Sequence, residues 1–266
     1  MQPTFYPAYW PDSNYPLEFH RLILTELAEL ADVVHLDFVD PDFVSTNQAG
    51  STVATADWQA ILDHPSMDAI RPRLLMHLMT QSVAKQTKLA ILAGIKHFIL
   101  PTTHWSEFIA AQAECQEHQC YYMPSLEPAE MLSDEQQIAL KDQSLMMGLN
   151  LMGVDSGATG QAQQTERLLS KITIFLATQP NWLITVDGGV RLDNVQSLWQ
   201  AGVGLVFASQ YGYWPKQDQS RDSRTGIELY QSLASDLSAL KAQLEHDRSA
   251  NQARFKSFTV VLSKGF

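Results

Sequence analysis

The sequence predicts a single (β/α)8 barrel, and three observations carry that expectation. Short β-rich apolar runs alternate eight times with longer amphipathic stretches between residues 4 and 245, the signature of parallel strands joined by helical crossovers. The 266 residues suit a barrel of this kind, which takes about 250. The first apolar run leads into Pro7, Pro11 and Pro16, whereas a doubly wound nucleotide-binding sheet places a Gly-rich turn after its first strand.

Taken in order, strands are expected near Thr4–Tyr9, Val33–Phe38, Leu74–Leu78, His97–Leu100, Tyr121–Met123, Met146–Met152, Trp182–Val186 and Val203–Ala208. Helices are expected near Leu17–Leu30, Asp57–Asp63, Val83–Ala93, Trp105–His118, Asp134–Leu140, Glu166–Ala177, Arg191–Ala201 and Gly226–Leu244. The first helix shows its period plainly: Leu17, Leu24, Leu27 and Leu30 recur on one face, with Glu18, Arg21 and Glu26 turned mostly away. The barrel domain is expected over residues 1–245 and a C-terminal extension over 246–266.

Composition narrows the function classes. The chain carries 18 Lys+Arg against 29 Asp+Glu, a formal charge of −11, and shows no Lys/Arg cluster of the kind that neutralises phosphates along a nucleic acid. The extension holds Arg248, Arg254, Lys256 and Lys264 against Asp247, so the body is more acidic than the total suggests. No signal peptide and no membrane span is evident, and a cytoplasmic protein with neither a nucleic-acid nor a membrane partner is expected. Cys115 and Cys120 lack metal-site spacing and read as free thiols.

In this architecture chemistry belongs at the C-terminal ends of the strands. The second strand ends in His35-Leu36-Asp37, the third in His77-Leu78-Met79 and the seventh in Val186-Asp187-Gly188-Gly189. The i, i+2 spacing puts His35 and Asp37 on one strand face. Imidazoles and carboxylates converging from several strands suit a divalent transition metal: Zn, Fe, Mn or Co. A buried carboxylate is costly unless paired or metal-bound, which makes Asp37 and Asp187 stronger candidates than His77 alone, since a lone histidine in an apolar strand is usually a core residue. Gly157, Gly160, Gly188, Gly189 and Ser209, after three successive late strands, could form an anion site from backbone N–H groups.

The ordered segments HLDFVD (35–40), LMHLM (75–79), LMGVDSGATGQ (151–161), VDGGVRLDN (186–194) and AGVGLVFASQ (201–210) resemble the ribulose-phosphate 3-epimerase family. The resemblance spans roughly residues 4–240. It implies a metal-dependent isomerase of the pentose phosphate pathway, acting on a small-molecule sugar phosphate and commonly a homo-oligomer. Carried over position by position, His35, Asp37, His77 and Asp187 would hold the metal. Asp37 and Asp187 would also be the catalytic acid/base pair, one removing the C3 proton of a ketose phosphate to give an enediolate and the other returning a proton to the opposite face. Met79 and Met152 would line the enediolate region, and the glycines and Ser209 would bind the phosphate. The DxKxxD motif of related decarboxylase and hexulose-phosphate synthase barrels is absent: the stretch reads Asp37-Phe38-Val39-Asp40.

Departures fall where the substrate would lie. Pro7-Ala8 stands where the family presents a Pro-Ser hydroxyl, Asp155 brings a negative charge to the phosphate loop, Ala208 replaces a glycine and Val39 a methionine. These point to a divergent member. Its alternatives are an epimerase of a six-carbon ketose phosphate such as allulose 6-phosphate, or a non-catalytic sugar-phosphate-binding barrel.

Overall fold

A computed structural model describes residues 4–11, 16–40, 43, 57–156, 163–190 and 194–209. Eight parallel strands close into a barrel in chain order: β1 (Thr4–Tyr9), β2 (Val34–Val39), β3 (Leu74–Met79), β4 (His97–Pro101), β5 (Tyr121–Leu126), β6 (Leu149–Met152), β7 (Ile184–Asp187) and β8 (Leu205–Ser209). The helices are α1 (Leu17–Leu30), α2 (Trp58–Leu62), α3 (Val83–Leu92), α4 (Trp105–Glu117), α5 (Asp134–Leu140), α6 (Thr165–Thr178) and α7 (Val195–Gln200). The expected helix at 226–244 and the extension at 246–266 lie outside the described residues.

Boundaries shift by a few residues, at β6 for a clear reason. The expected start at Met146 moves to Leu149, because residues 145–147 run beside β5 alone: Tyr122 N donates to Leu145 O at 3.1 Å and Met147 N to Tyr122 O at 2.9 Å. The ladder to the β7 side begins where Leu149 N reaches Leu183 O at 2.8 Å. β5, in turn, runs on past Met123 to Leu126, which brings Ser125 into the barrel beside Asn150.

Most of the core lies between the barrel wall and the helices. α1 buries Ile23, Leu24, Leu27 and Ala28 against it, as its leucine period requires. The short α2 depends on its ends. Asp57 accepts from the N–H groups of Gln59 and Ala60, and Arg21 and Arg71 donate to the late carbonyls of Ala60, Ile61 and Leu62, cations placed where the helix dipole favours them. α5 opens with a reciprocal capping box between Ser133 and Gln136.

Inside the barrel a second cluster contains Ala8, Leu75, Ile99, Met123, Leu205 and Phe207. Above it, toward the C-terminal ends of the strands, the inward positions become polar, and the candidate chemistry stands on this filled floor. Cys115 and Cys120 are buried free thiols. Among the described residues no helix is long and apolar enough to cross a membrane.

Candidate metal centre

Strand alternation sends His35 and Asp37 into the barrel together, and the β2–β3 register sets Asp37 beside His77. β7 contributes Asp187 from across β8 and β1. All four side chains are buried, and one ligand atom from each lies within 4.8 Å of the others. His35 Nε2 is 3.1 Å from Asp37 Oδ1 and 3.8 Å from Asp187 Oδ2. His77 Nδ1 is 3.4 Å from Asp37 Oδ1 and 3.1 Å from Asp187 Oδ2. Phe207 holds the His35 ring edge-to-face at a centroid distance of 4.4 Å.

His77 Nδ1 and Asp187 Oδ2 are aligned as a hydrogen bond, and the other contacts fit a shared ion better than mutual hydrogen bonding. His35 Nε2 and Asp37 Oδ1 are close enough to bond but are not aligned to do so, and both count as buried atoms without a hydrogen-bond partner, as do His35 Nδ1 and His77 Nε2. Donor atoms held about 2.1 Å from one ion sit about 3.0–3.4 Å from each other, close to the separations found. Two imidazoles and two carboxylates are also the donor chemistry of a divalent transition metal. The cluster can therefore hold a metal ion.

Electrostatics agree. Burial pushes the Asp37 carboxyl up, but the charges of His35 and His77 close beside it outweigh that and hold Asp37 well below the usual carboxylate range. For His77, burial acts downward and is overcome by its hydrogen bond to Asp187 and by the negative charges of Asp187 and Asp37, which raise it to about 9. The shifts of Asp37 and His77 run in opposite directions, each favouring the charged form of that group beside its oppositely charged neighbours.

The remaining expected residues are distributed around this centre. Met79 and Met152 are buried one strand position or more beyond the cluster's floor, Met79 two residues after His77 and Met152 in register with Asp187. Gly188 and Gly189 have φ of +88° and +66°, the left-handed region that glycine enters without penalty. A β-carbon on Gly188 would meet Val154 Cγ2 at 2.6 Å, and one on Gly189 would meet Gln163 Cβ at 2.9 Å. Their carbonyls accept from Gln163 and Asn194, so these glycines let the loops after β6 and β7 pack together. Ser209 is placed as the last residue of β8, paired with Ala8, and Gly157 and Gly160 lie outside the described residues.

Two groups went unnoticed in the sequence. A buried row, Thr185 to Asn150 at 2.8 Å and Asn150 to Ser125 at 2.9 Å, crosses β7, β6 and β5, and the Asn150 amide also reaches Met152 Sδ. Asn150 in an apolar strand was as legible a signal as Asp37. The second group surrounds Glu127, just past β5. Its carboxylate accepts from both the backbone N–H and the hydroxyl of Ser156, and its carbonyl accepts from the buried Lys171 ammonium at 2.5 Å. Burial raises the Glu127 carboxyl and the Ser156 bonds oppose that shift. Lys171 is lowered to about 8, chiefly by burial.

The fold and the cluster define a (β/α)8 barrel with a metal-competent histidine–aspartate centre at the end of the barrel where such folds carry chemistry. The profile of the ribulose-phosphate 3 epimerase family matches residues 16–213, and the chain belongs to that family. No curated protein matches it in sequence. Among solved structures, a 3-hexulose-6-phosphate synthase is 14% identical at a TM-score of 0.51, over 81% of this chain and 93% of that one. A tryptophan synthase from M. tuberculosis is 15% identical at 0.57, over 91% and 90%. A tryptophan synthase alpha-subunit from Pyrococcus furiosus is 16% identical at 0.53, over 79% and 88%. These likenesses show the fold.

Proposed function

We propose that the chain is a metal-dependent isomerase that inverts C3 of a ketose phosphate of the ribulose 5-phosphate/xylulose 5-phosphate type. The observation that carries this reading is the convergence of two aspartates from different strands, Asp37 and Asp187, on one buried centre with His35 and His77. A barrel that only bound a sugar phosphate would have no use for two carboxylates held at such electrostatic cost.

His35, Asp37, His77 and Asp187 would hold one divalent transition metal, which when bound supplies Lewis-acid stabilisation of the negative charge that develops on the substrate. Asp37 Oδ1 and Asp187 Oδ2 are the oxygens that converge. The second oxygen of each carboxylate is left for proton transfer. One aspartate removes the C3 proton and the other delivers a proton to the opposite face, which requires one to begin ionised and its counterpart protonated. Met79 and Met152 give the reacting carbons an apolar wall without competing donors. Gly157, Gly160, Gly188, Gly189 and Ser209 are assigned to the phosphate end, and the working protein is a cytoplasmic homo-oligomer.

Asp155 is exposed at the start of the loop after β6 and brings negative charge toward that end, which favours a divergent substrate within the class. A hexulose such as allulose 6-phosphate is the second reading. Deuterium incorporation from D2O, followed by NMR over a panel of ketose phosphates, tests both. Exchange at C3 of one compound is expected and names the substrate; a metal-loaded protein that exchanges none of them refutes the epimerase assignment.

A further inference from the structure

We propose that Trp10, the first residue beyond β1, is a substrate-binding residue whose indole N–H donates a hydrogen bond to an oxygen of the ketose. The ligand's identity rests on the epimerase reading; the site itself rests on the geometry of β1.

Alternation along β1 sets the direction of each side chain. Ala8 belongs to the cluster inside the barrel. Tyr9 points outward, where its hydroxyl lies 2.6 Å from His20 Nδ1 on α1. Trp10 follows on the inner side again and, like Phe43, packs against the buried pair Val39 and Met79. The register pairs Ala8 with His35, so two residues further along both strands Trp10 comes level with Asp37, itself paired with His77. Val39 and Met79, each two residues beyond one of those cluster members, are 2% and 4% exposed. Trp10 thus stands at the rim of the cluster, in the layer where a sugar coordinated below would extend its carbon chain.

Trp10 is partly buried, and its ring nitrogen is buried without a hydrogen-bond partner. A buried indole N–H normally finds an acceptor, and one left without costs free energy. An acceptor brought by a ligand removes that cost. Sugar hydroxyl, carbonyl and phosphate oxygens all qualify, and the ring face beside the donor offers apolar surface to the sugar's C–H groups. The position also accounts for Ala8: where the first strand carries no hydroxyl toward the substrate, a donor stands two residues later on the same face. Unlike a histidine or a carboxyl, the indole stays a donor at every working pH.

The test uses full-length, metal-loaded protein. In 15N-labelled wild type, the Trp10 indole resonance, assigned through contacts with the Val39 and Met79 methyl groups, is followed during titration with ribulose 5-phosphate, xylulose 5-phosphate and allulose 6-phosphate. A saturable shift with at least one compound is expected. Trp10→Phe keeps the apolar ring and removes the donor; it is expected to raise KM about tenfold, the worth of one neutral hydrogen bond, with kcat changed less than about threefold and full metal content. An indole signal unmoved by every compound, or an unchanged KM in Trp10→Phe, overturns the proposal. If no compound exchanges its C3 proton, the epimerase reading falls, and the resonance titration with the same compounds still decides the role of Trp10.

Discussion

Around Glu127, carboxylate oxygens are met by protein donors. Ser156 supplies its backbone N–H and hydroxyl to Glu127, while Glu130 receives the Thr102 hydroxyl at 2.7 Å and the Glu127 N–H at 3.2 Å. Around Asp37, at the same end of the barrel, a more deeply buried carboxylate oxygen has two imidazole nitrogens within 3.4 Å and an aligned hydrogen bond to neither. The first arrangement is complete as it stands and ties the ends of β4, β5 and β6 to α6. The second is incomplete without a further charge at its centre, and that difference separates a structural polar network from a site that awaits a ligand.

The largest test removes a cluster carboxylate. Asp37→Asn and Asp187→Asn keep the shape of the side chain but lose the charge and the proton-transfer group. Each is expected to lower C3 exchange by about a thousandfold or more, within the range for losing a positioned acid or base. If either variant exchanges at a rate near wild type, that aspartate is not part of the acid/base pair.

Metal binding should then appear as stability. An ion that binds the folded cluster and not the unfolded chain stabilises by about 4 kcal/mol at a thousand times its dissociation constant. Chelator-treated protein is expected to melt several degrees below protein supplied with Zn²⁺ or Mn²⁺, with near one ion per chain by metal analysis. His77→Ala should abolish the difference. Equal melting curves with and without metal would place the charge balance of the cluster elsewhere.

How much of this was legible follows the same division. Asp37 and Asp187 were visible because a carboxylate in an apolar strand is an anomaly, and the His35/Asp37 pair because spacing alone fixes a strand face. The barrel followed from the alternation of strand and helix. Glu127 is not visible: it follows a strand whose sequence pattern ends three residues short of its observed end, and its partners Ser156 and Lys171 are 29 and 44 residues away. Trp10 was hidden in another way, because an aromatic residue after a strand is ordinary, and only its register with Asp37 and its solitary N–H distinguish it.

The Glu127 network should give a smaller, purely structural effect. Glu127→Ala leaves the Ser156 N–H and hydroxyl without their acceptor, at an expected cost of about 3 kcal/mol in urea unfolding, while metal stoichiometry stays unchanged. Loss of metal in this variant would mean that the two networks are energetically one.

The smallest effect concerns a buried histidine at the opposite end of the barrel. His77 is raised by the aspartates it faces, whereas His97, the first residue of β4, is lowered to about 4, first by burial and then by the charge of Lys96. Its ring stacks on Tyr121, 5.6 Å between centroids and 8° from parallel. The unfolded chain takes up a proton at the ordinary value of 6.5 and the folded one only near 4. The His97 contribution to stability is therefore complete above about pH 6.5 and falls as the pH drops toward 4, because the unfolded state binds the proton first. Between pH 7 and pH 5 the loss is about 2 kcal/mol. His97→Phe keeps a ring for Tyr121 and removes the titration, so the variant should lose about 2 kcal/mol less than wild type over that interval. Parallel losses in the two proteins would show that the folded state accepts the proton on His97 as readily as the unfolded one.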